Sequence, residues 1–568
     1  MVDLQESNQN SGRPVPGNGW VAGGTFFLVL VAYVSTSPGR IDIIDGQARY
    51  DVAYHWLVEG RPIVRDPWIK PLMAVKGVGG LSYSYYGPAA SVFAVPLVWL
   101  GLLVDLPRGE PSRFLFSLTS AIFGALVALI LYLFYVQLGF SRKTALGWTM
   151  VSAFATLIWP SSASTFDNVQ HGFFAITATY LGFLSARRQS KLWAAGGGLA
   201  AGVLVLYQEY FLMIIPALAI STIDWGYEGS REVWLDQSQS KESRWDRVRC
   251  RLGNCSKHLS QWIRSAYRGH GAARESCQRY ACFLGVAAAG LVLSLVYNDL
   301  RFGSLLHDGK LRFASQRAYP LFGNPLAGFL TILLSPGKSI FLYTPPLVLA
   351  LWGLRRLCQR SLQLGVAIVA CSTIVVLFIS CIAFAGGDWC WGPRYLVVLL
   401  PLLALGFPFV CMKSRFRRAL VMTIVAVGLM IQVLALSVEN QRFFFARGLD
   451  DFFWAEDRWF YFRHSAFVAR ATELISLKDG VPAEAKRFNA IPNPEWCTYA
   501  ILGPPRPRSQ APRWMRQFKV FYLPRPWPIW IWQVEPDLRP INMSAWIAGL
   551  FATALLGAAL VHKGLYGS

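Results

Sequence analysis

Long apolar runs separated by short polar connections dominate this chain, and the runs are too uniform for the interior of a soluble domain. Twelve of them approach the ~20 residues that cross a bilayer as a helix. They are 20–36, 113–136, 144–162, 170–186, 193–207, 210–224, 281–298, 339–354, 363–385, 393–411, 418–437 and 541–561. A thirteenth run, SVFAVPLVWLGLLV (91–104), is short and contains Pro96, so it reads as an interfacial or re-entrant helix. Nothing resembles the ten-residue alternation of a membrane β-barrel. The pattern predicts an all-α polytopic membrane protein.

The connections orient it. SRK (141–143), ARRQSK (186–191), RRLCQR (355–360) and KSRFRR (413–418) are short and basic, the mark of cytoplasmic loops. Twelve spans with both termini cytoplasmic place all four inside, together with a basic insert at 225–280 and Lys563. Letting 91–104 span would invert every later loop, so it is kept out of the count. Residues 1–19 then form a cytoplasmic tail, and the polar start followed by no small-residue cleavage site argues for a retained first helix. Outside lie 37–112, 163–169, 299–338 and 386–392. So does 438–540, long enough to be a small extracytoplasmic domain, and 541–568 is the last span with its tail.

One outer stretch departs from the apolar pattern. RYDVAYHWLVEG (49–60) has helical spacing, with Tyr50, Ala53, Tyr54 and Leu57 on one face, and it follows two carboxylates, Asp42 and Asp45. An amphipathic helix at the membrane surface is the expectation there.

Composition changes this picture little. Hydrophobic residues make up 54% of 568, and the net charge of +22 sits in loops, where it sets topology and meets anionic lipid rather than nucleic acid. Ten cysteines are scattered along the chain. Cys250, Cys255, Cys277 and Cys282 form two C-x4-C pairs, a poor zinc spacing, and free thiols are the better reading. No internal repeat, nucleotide-binding glycine loop or soluble hydrolase motif is present.

Candidate chemistry gathers on the outer face. Ionisable groups at helix mouths are costly unless they line a wet cavity, so their clustering reads as a functional site. Asp45 is either a reactive acid or the N-cap of the helix behind it, and Asp167 stands in the same position before the fourth span. Arg394 follows Pro393 at a helix start, where a cation opposes the helix dipole and an anionic partner explains it. Lys338, in SPGK near a re-entrant turn, faces a lipid phosphate or snorkels. His171, His307 and Glu209 read as satisfied interior groups unless the site recruits them.

The order of these features resembles the GT-C fold, the integral-membrane glycosyltransferases that use polyprenyl-phosphate-linked sugars, among them protein O-mannosyltransferases and lipid A aminoarabinose transferases. The stretches that carry the resemblance are DGQARYDVAYHWLVEGRPIV, LSYSYYGPAASVFAVPLVWLG, RFGSLLHDG, LLSPGKSIFLYTPP and GDWCWGPRYL, within 20–437; the insert 225–280 and region 438–540 do not match. The resemblance implies a bacterial inner-membrane enzyme that transfers a hexosyl or pentosyl group to a hydroxyl of a glycan, lipid or protein on the extracytoplasmic face. The catalytic acid falls on Asp45, with Asp42 as competitor. The second acid, which places acceptor or metal, falls on Asp167, with His171 beside it. Donor phosphate would meet Arg394, Lys338 and His307. The first loop lacks an adjacent Asp–Glu pair, so no strict metal requirement follows, and a divalent cation is the open cofactor question. A transporter or flippase of lipid-linked sugars is the rival reading, although that class favours repeats and midplane charges.

Overall fold

A computed structural model describes residues 17–67, 69–104, 111–224, 271–317, 320–387, 390–437, 465–476 and 543–566. The first half holds α1 (Asn18–Thr36), α2 (Ile44–Glu59) and the single turn α3 (Lys70–Met73). Two short strands, β1 (Ala74–Lys76) and β2 (Ser82–Ser84), pair antiparallel with Ala74 opposite Ser84. Helices α4 (Ala89–Leu102), α5 (Pro111–Ser117), α6 (Thr119–Gln137), α7 (Arg142–Phe154) and α8 (Ile158–Ser162) follow. Then come α9 (Asn168–Arg188), α10 (Lys191–Tyr207) and α11 (Ile215–Ala219). The second half holds α12 (Gly271–Phe302), α13 (Gly309–Arg317), α14 (Pro325–Leu334), α15 (Ile340–Tyr343) and α16 (Leu347–Arg360). It closes with α17 (Leu362–Cys381), α18 (Leu400–Ala404), α19 (Arg415–Ser437), α20 (Ala466–Ser476) and α21 (Met543–Tyr566).

The protein is an all-α polytopic membrane protein. Six described helices are long and apolar enough to cross a bilayer: Asn18–Thr36, Pro111–Gln137, Ala273–Phe302, Leu362–Cys381, Arg415–Ser437 and Trp546–Tyr566. The other expected spans also fall on helical segments, but several are divided, and the divisions have local causes. Thr344, Pro345 and Pro346 separate α15 from α16, since proline carries no N–H to continue the ladder. Pro401 and Pro408 divide 394–409 into a 3-10 turn (Arg394–Leu399), α18 and another 3-10 turn. Between α7 and α8 the freed groups are satisfied by threonine: Thr156 Oγ1 donates to Ser152 O at 2.6 Å, and Leu157 N donates to Thr344 Oγ1 at 3.4 Å. One expected boundary needs correction: the seventh span starts earlier than 281, because α12 is one continuous helix from Gly271. The outer stretch 299–338 carries two helices, α13 and α14. Most of the insert 225–280, and of 438–540 all but the residues around α20, lie outside the described residues.

Small residues let the central helices approach closely. Helix α10 packs between α9 and α12, and a Cβ on Gly290 would lie 2.1 Å from the Gly202 carbonyl oxygen, so no larger residue fits that crossing. The two terminal helices, α1 and α21, pack on each other.

Helix α2 is clasped rather than laid flat. Its predicted apolar stripe is present: Tyr50 and Ala53, with Tyr54 and Leu57 beside them, pack on Ala94 and Val98 of α4 and on Phe116 of α5. The opposite face is covered as well, with Ala48 and Val52 against Val64, Ile69 and Ala74. Every residue from Asp45 to Ala53 is therefore buried, including Asp45, Gln47, Arg49 and Asp51, and only the last turn is open. Helix α4 runs 14 residues with Pro96 inside, about 21 Å at the helical rise and short of a bilayer core. Its outward side is apolar, with Val92, Trp99 and Leu100 exposed.

Candidate active site

Burying four polar side chains along one helix is costly unless each finds a partner, and the partners of α2 define the site. The helix is capped by the backbone of Ile43, with no side-chain cap, so Asp45 in the first turn is not employed as a cap. Instead Asp45 Oδ1 accepts from the Tyr86 hydroxyl in a short hydrogen bond and lies 3.5 Å from Arg394 Nη1. Its other oxygen, Oδ2, takes no partner among the described residues. Asp45 is 6% exposed.

Asp42 is differently placed. Its Oδ1 accepts from Thr165 N at 2.8 Å and Thr165 Oγ1 at 2.6 Å, and its Oδ2 accepts from Ser164 Oγ at 2.7 Å. Both oxygens thus fasten the chain after α1 to the loop before α9. Burial pushes the Asp42 carboxyl above its ordinary value, against the pull of the Thr165 and Ser164 hydrogen bonds. Gly46 explains why the loop comes so close: a Cβ there would stand 2.3 Å from Thr165 Oγ1.

That loop delivers Asp167. It occupies the N-cap position of α9, yet its side chain makes no capping bond. Oδ2 lies 2.8 Å from Arg49 Nη2 and 3.4 Å from His171 Nε2, both buried. Desolvation would raise this carboxyl, but Arg49 first and His171 second override it and hold Asp167 well below the usual carboxylate range. Its Oδ1 stays outside the ion pair, but a carboxylate so strongly held is a poor proton acceptor. His171 itself packs edge-on against the rings of Tyr207 and Phe211, so it braces Asp167 from the interior side.

Arg394 begins a 3-10 turn, as the clash of cation and helix dipole suggested, and an anion does face it: Asp45. The guanidinium also lies over the Phe166 ring at 4.2 Å and donates to the Tyr395 hydroxyl at 3.3 Å. Arg49 lies on the other side of the cluster, over the Tyr86 ring at 4.4 Å. Its Nε and Nη1 are buried without a hydrogen-bond partner. Two guanidiniums therefore flank Asp45, and one of them retains unused donors.

The other two expected phosphate ligands are not part of this cluster. Lys338 is 1% exposed, and its amine donates to the carbonyls of Cys390 at 2.8 Å and Gly392 at 3.3 Å. It fixes the turn that leads into Arg394. His307 is exposed and shares no hydrogen bond or ion pair with the acids. A few residues further on, Lys310 turns inward: its amine donates to Gln208 Oε1 in a short bond and faces the Tyr210 ring at 5.9 Å. Glu209 is the neighbouring acid, accepting from Ser294 Oγ at 3.2 Å.

Residues from three of the expected outer stretches meet at the mouth of the tenth span. Asp45 and Tyr86 come from 37–112, Asp167 from 163–169, Lys310 and the buried Arg301 from 299–338, and Arg394 from the start of the span 393–411, just after 386–392. Among the described residues no three His, Cys, Asp or Glu side chains are grouped to hold a metal ion. Cys250 and Cys255 lie outside the described residues, and Cys277 and Cys282 are free thiols.

Tyr86 and Arg49 are the partners that reading the residues in order does not single out. Both lie in conspicuous stretches, LSYSYYGP and RYDVAYHW, but the Tyr86 bond spans 41 positions and leaves no periodic trace.

No protein-family model matches the chain, and no curated protein sequence does. Among solved structures the chain is similar to the crystal structure of ArnT from Cupriavidus metallidurans in the apo state, at 12% sequence identity and a TM-score of 0.42, covering 96% of this chain and 77% of that one.

Proposed function

We propose that this protein is a membrane glycosyltransferase of the GT-C type, moving a sugar from a polyprenyl-phosphate donor to an acceptor hydroxyl on the extracytoplasmic face. The observation that carries the reading is Asp45: a buried carboxylate with one oxygen fixed by Tyr86, the other open, and two guanidiniums beside it. That arrangement suits an inverting transfer. Asp45 Oδ2 takes the proton of the acceptor hydroxyl, whose oxygen bonds to the anomeric carbon. The bond from that carbon to the phosphate oxygen breaks, and the polyprenyl phosphate leaves with the electron pair. Arg394 and Arg49 face the charge growing on the leaving phosphate, where fixed cations in a site poor in water act most strongly.

Asp42 has both oxygens engaged and Asp167 is held ionised by Arg49, so neither competes as the base. Asp167 instead keeps Arg49 in place. The apolar outer side of α4 is the surface along which a prenyl chain would lie.

The test is Asp45→Asn in membranes given labelled polyprenyl-phosphate sugar and a cell-envelope extract. The reading expects transfer to disappear while the protein still inserts and melts normally. Unchanged transfer with failed export of the lipid-linked sugar would favour a flippase instead.

A further inference from the structure

Tyr86 is held from every side, more firmly than a side chain that merely fills space. Its backbone N–H donates to Ser84 Oγ at 3.2 Å. Its carbonyl accepts from Arg301 Nη1 at 2.9 Å, and the same nitrogen donates to the Ser84 carbonyl at 2.6 Å. Arg301 is itself fixed, donating to Asn298 Oδ1 at 2.6 Å with its guanidinium over the Tyr297 ring at 4.0 Å. A buried guanidinium on α12 is thus engaged in holding the backbone from which Tyr86 projects.

The ring is fixed too. Arg49 lies over one face at 4.4 Å, and the Tyr85 ring stands 4.5 Å away. The residue that follows, Gly87, abuts the end of α10, where a Cβ would lie 2.1 Å from the Leu206 carbonyl oxygen. With ring and backbone both set, the hydroxyl has one direction, and it points at Asp45 Oδ1. Behind it the Tyr85 hydroxyl stands 3.3 Å from the Tyr86 hydroxyl, its one proton divided between Tyr86 and Met73 Sδ at 2.8 Å, while the Tyr86 proton goes to the carboxylate, which only accepts.

We infer that Tyr86 is a positioning residue for Asp45: its hydroxyl occupies Oδ1, fixes the plane of the carboxylate and reserves Oδ2 for the reacting hydroxyl, with Tyr85 and Arg301 acting through it. This rests on the glycosyl-transfer reading for the reaction, but not for the contact itself. A hydrogen bond donated to a carboxylate favours its ionised form. Losing the hydroxyl should therefore make Asp45 easier to protonate. The other groups facing Asp45 are Arg49 on its own helix, Tyr85 on the same segment as Tyr86, and Arg394 opposite. All of them stay when Tyr86 becomes Phe.

Tyr86→Phe in purified full-length protein in lipid nanodiscs is the experiment, read in two ways. Infrared titration, with the Asp45 band assigned by its loss in Asp45→Asn, should show the Asp45 carboxyl protonating at a pH higher by about one unit than in the unsubstituted protein. In the transfer assay the acid limb should move the same way, with kcat falling about tenfold and the donor KM within about twofold. Tyr85→Phe should give smaller shifts of the same sign. An unmoved Asp45 titration in a Tyr86→Phe protein of normal melting temperature would overturn the inference, and so would a lower melting temperature with no titration shift. A moved titration in a protein that transfers no sugar under any condition would defeat the glycosyl-transfer reading while leaving the role of Tyr86 intact.

Discussion

Asp45 and Asp167 are both acids at the start of helices, both buried, and each lies beside an arginine. They differ in the distance and number of those cations. Asp167 sits 2.8 Å from Arg49 with His171 on the same oxygen, whereas Asp45 meets a neutral hydroxyl and a guanidinium only at 3.5 Å. A buried carboxylate clamped by cations holds structure, because its negative charge is already matched. A carboxylate held by a hydroxyl keeps the capacity to take a proton. On this contrast we propose Asp45 as the reactive acid and Asp167 as the bracing one, a division that sequence position alone does not make.

The largest effect should follow from removing the proposed reactive acid. Asp45→Asn keeps an oxygen for the Tyr86 hydroxyl, so transfer should fall by about 10²–10⁴-fold with melting temperature nearly unchanged, measured on one preparation.

Removing the bracing acid should do the reverse. Asp167→Asn leaves the Arg49 guanidinium buried without its counter-charge, which costs about 3–5 kcal/mol, seen as a lower melting temperature. The double variant Arg49→Met with Asp167→Leu should regain part of that stability but not transfer. If Asp167→Asn is stable and inactive, the two stations have been assigned the wrong way round.

Lys338→Met should rank next. It strands the carbonyls of Cys390 and Gly392 for about 1–3 kcal/mol and loosens the turn before Arg394, so donor KM should rise more than kcat falls. Asp42→Asn should be milder for catalysis. It trades a full set of acceptors for one oxygen and one amide, giving a modest loss of melting temperature with transfer by the folded fraction within a few-fold.

Acidity gives the smallest effect near neutrality. Because the folded Asp167 carboxyl is held below its ordinary value, its contribution to stability is complete above about pH 4. That contribution is lost only as the pH falls further, towards the folded value. Melting temperature should therefore carry no Asp167 contribution to its slope between pH 7 and 5. Below about pH 4 the slope should be shallower in Asp167→Asn than in the unsubstituted protein.

Much of the architecture is legible in the chain because bilayer length and apolarity are local properties. All twelve expected spans coincide with helical segments, and the stripe Tyr50, Ala53, Tyr54 and Leu57 packs as a stripe. The divisions at Pro345, Pro346, Pro401 and Pro408 were written in the residues too, although hydropathy alone runs through them. What hydropathy cannot convey is pairing. Lys338 and Arg394 look alike as cations near outer helix mouths, yet one is bonded to carbonyls and the other faces Asp45 across 349 positions. Likewise Asp42 and Asp45 differ only in whether the residues opposite are Thr165 and Ser164 or Tyr86. His307 was the more conspicuous titratable group of its loop, but the turn carries it outward and brings Lys310 in.

The most direct test sets Asp45→Asn and Asp167→Asn side by side in nanodiscs, recording transfer of a labelled polyprenyl-phosphate sugar and melting temperature on the same samples. Asp45→Asn should be inactive but normally stable, and Asp167→Asn destabilised with a folded fraction that still transfers sugar. Sugar transfer that survives in Asp45→Asn would overturn the assignment of Asp45 as the base.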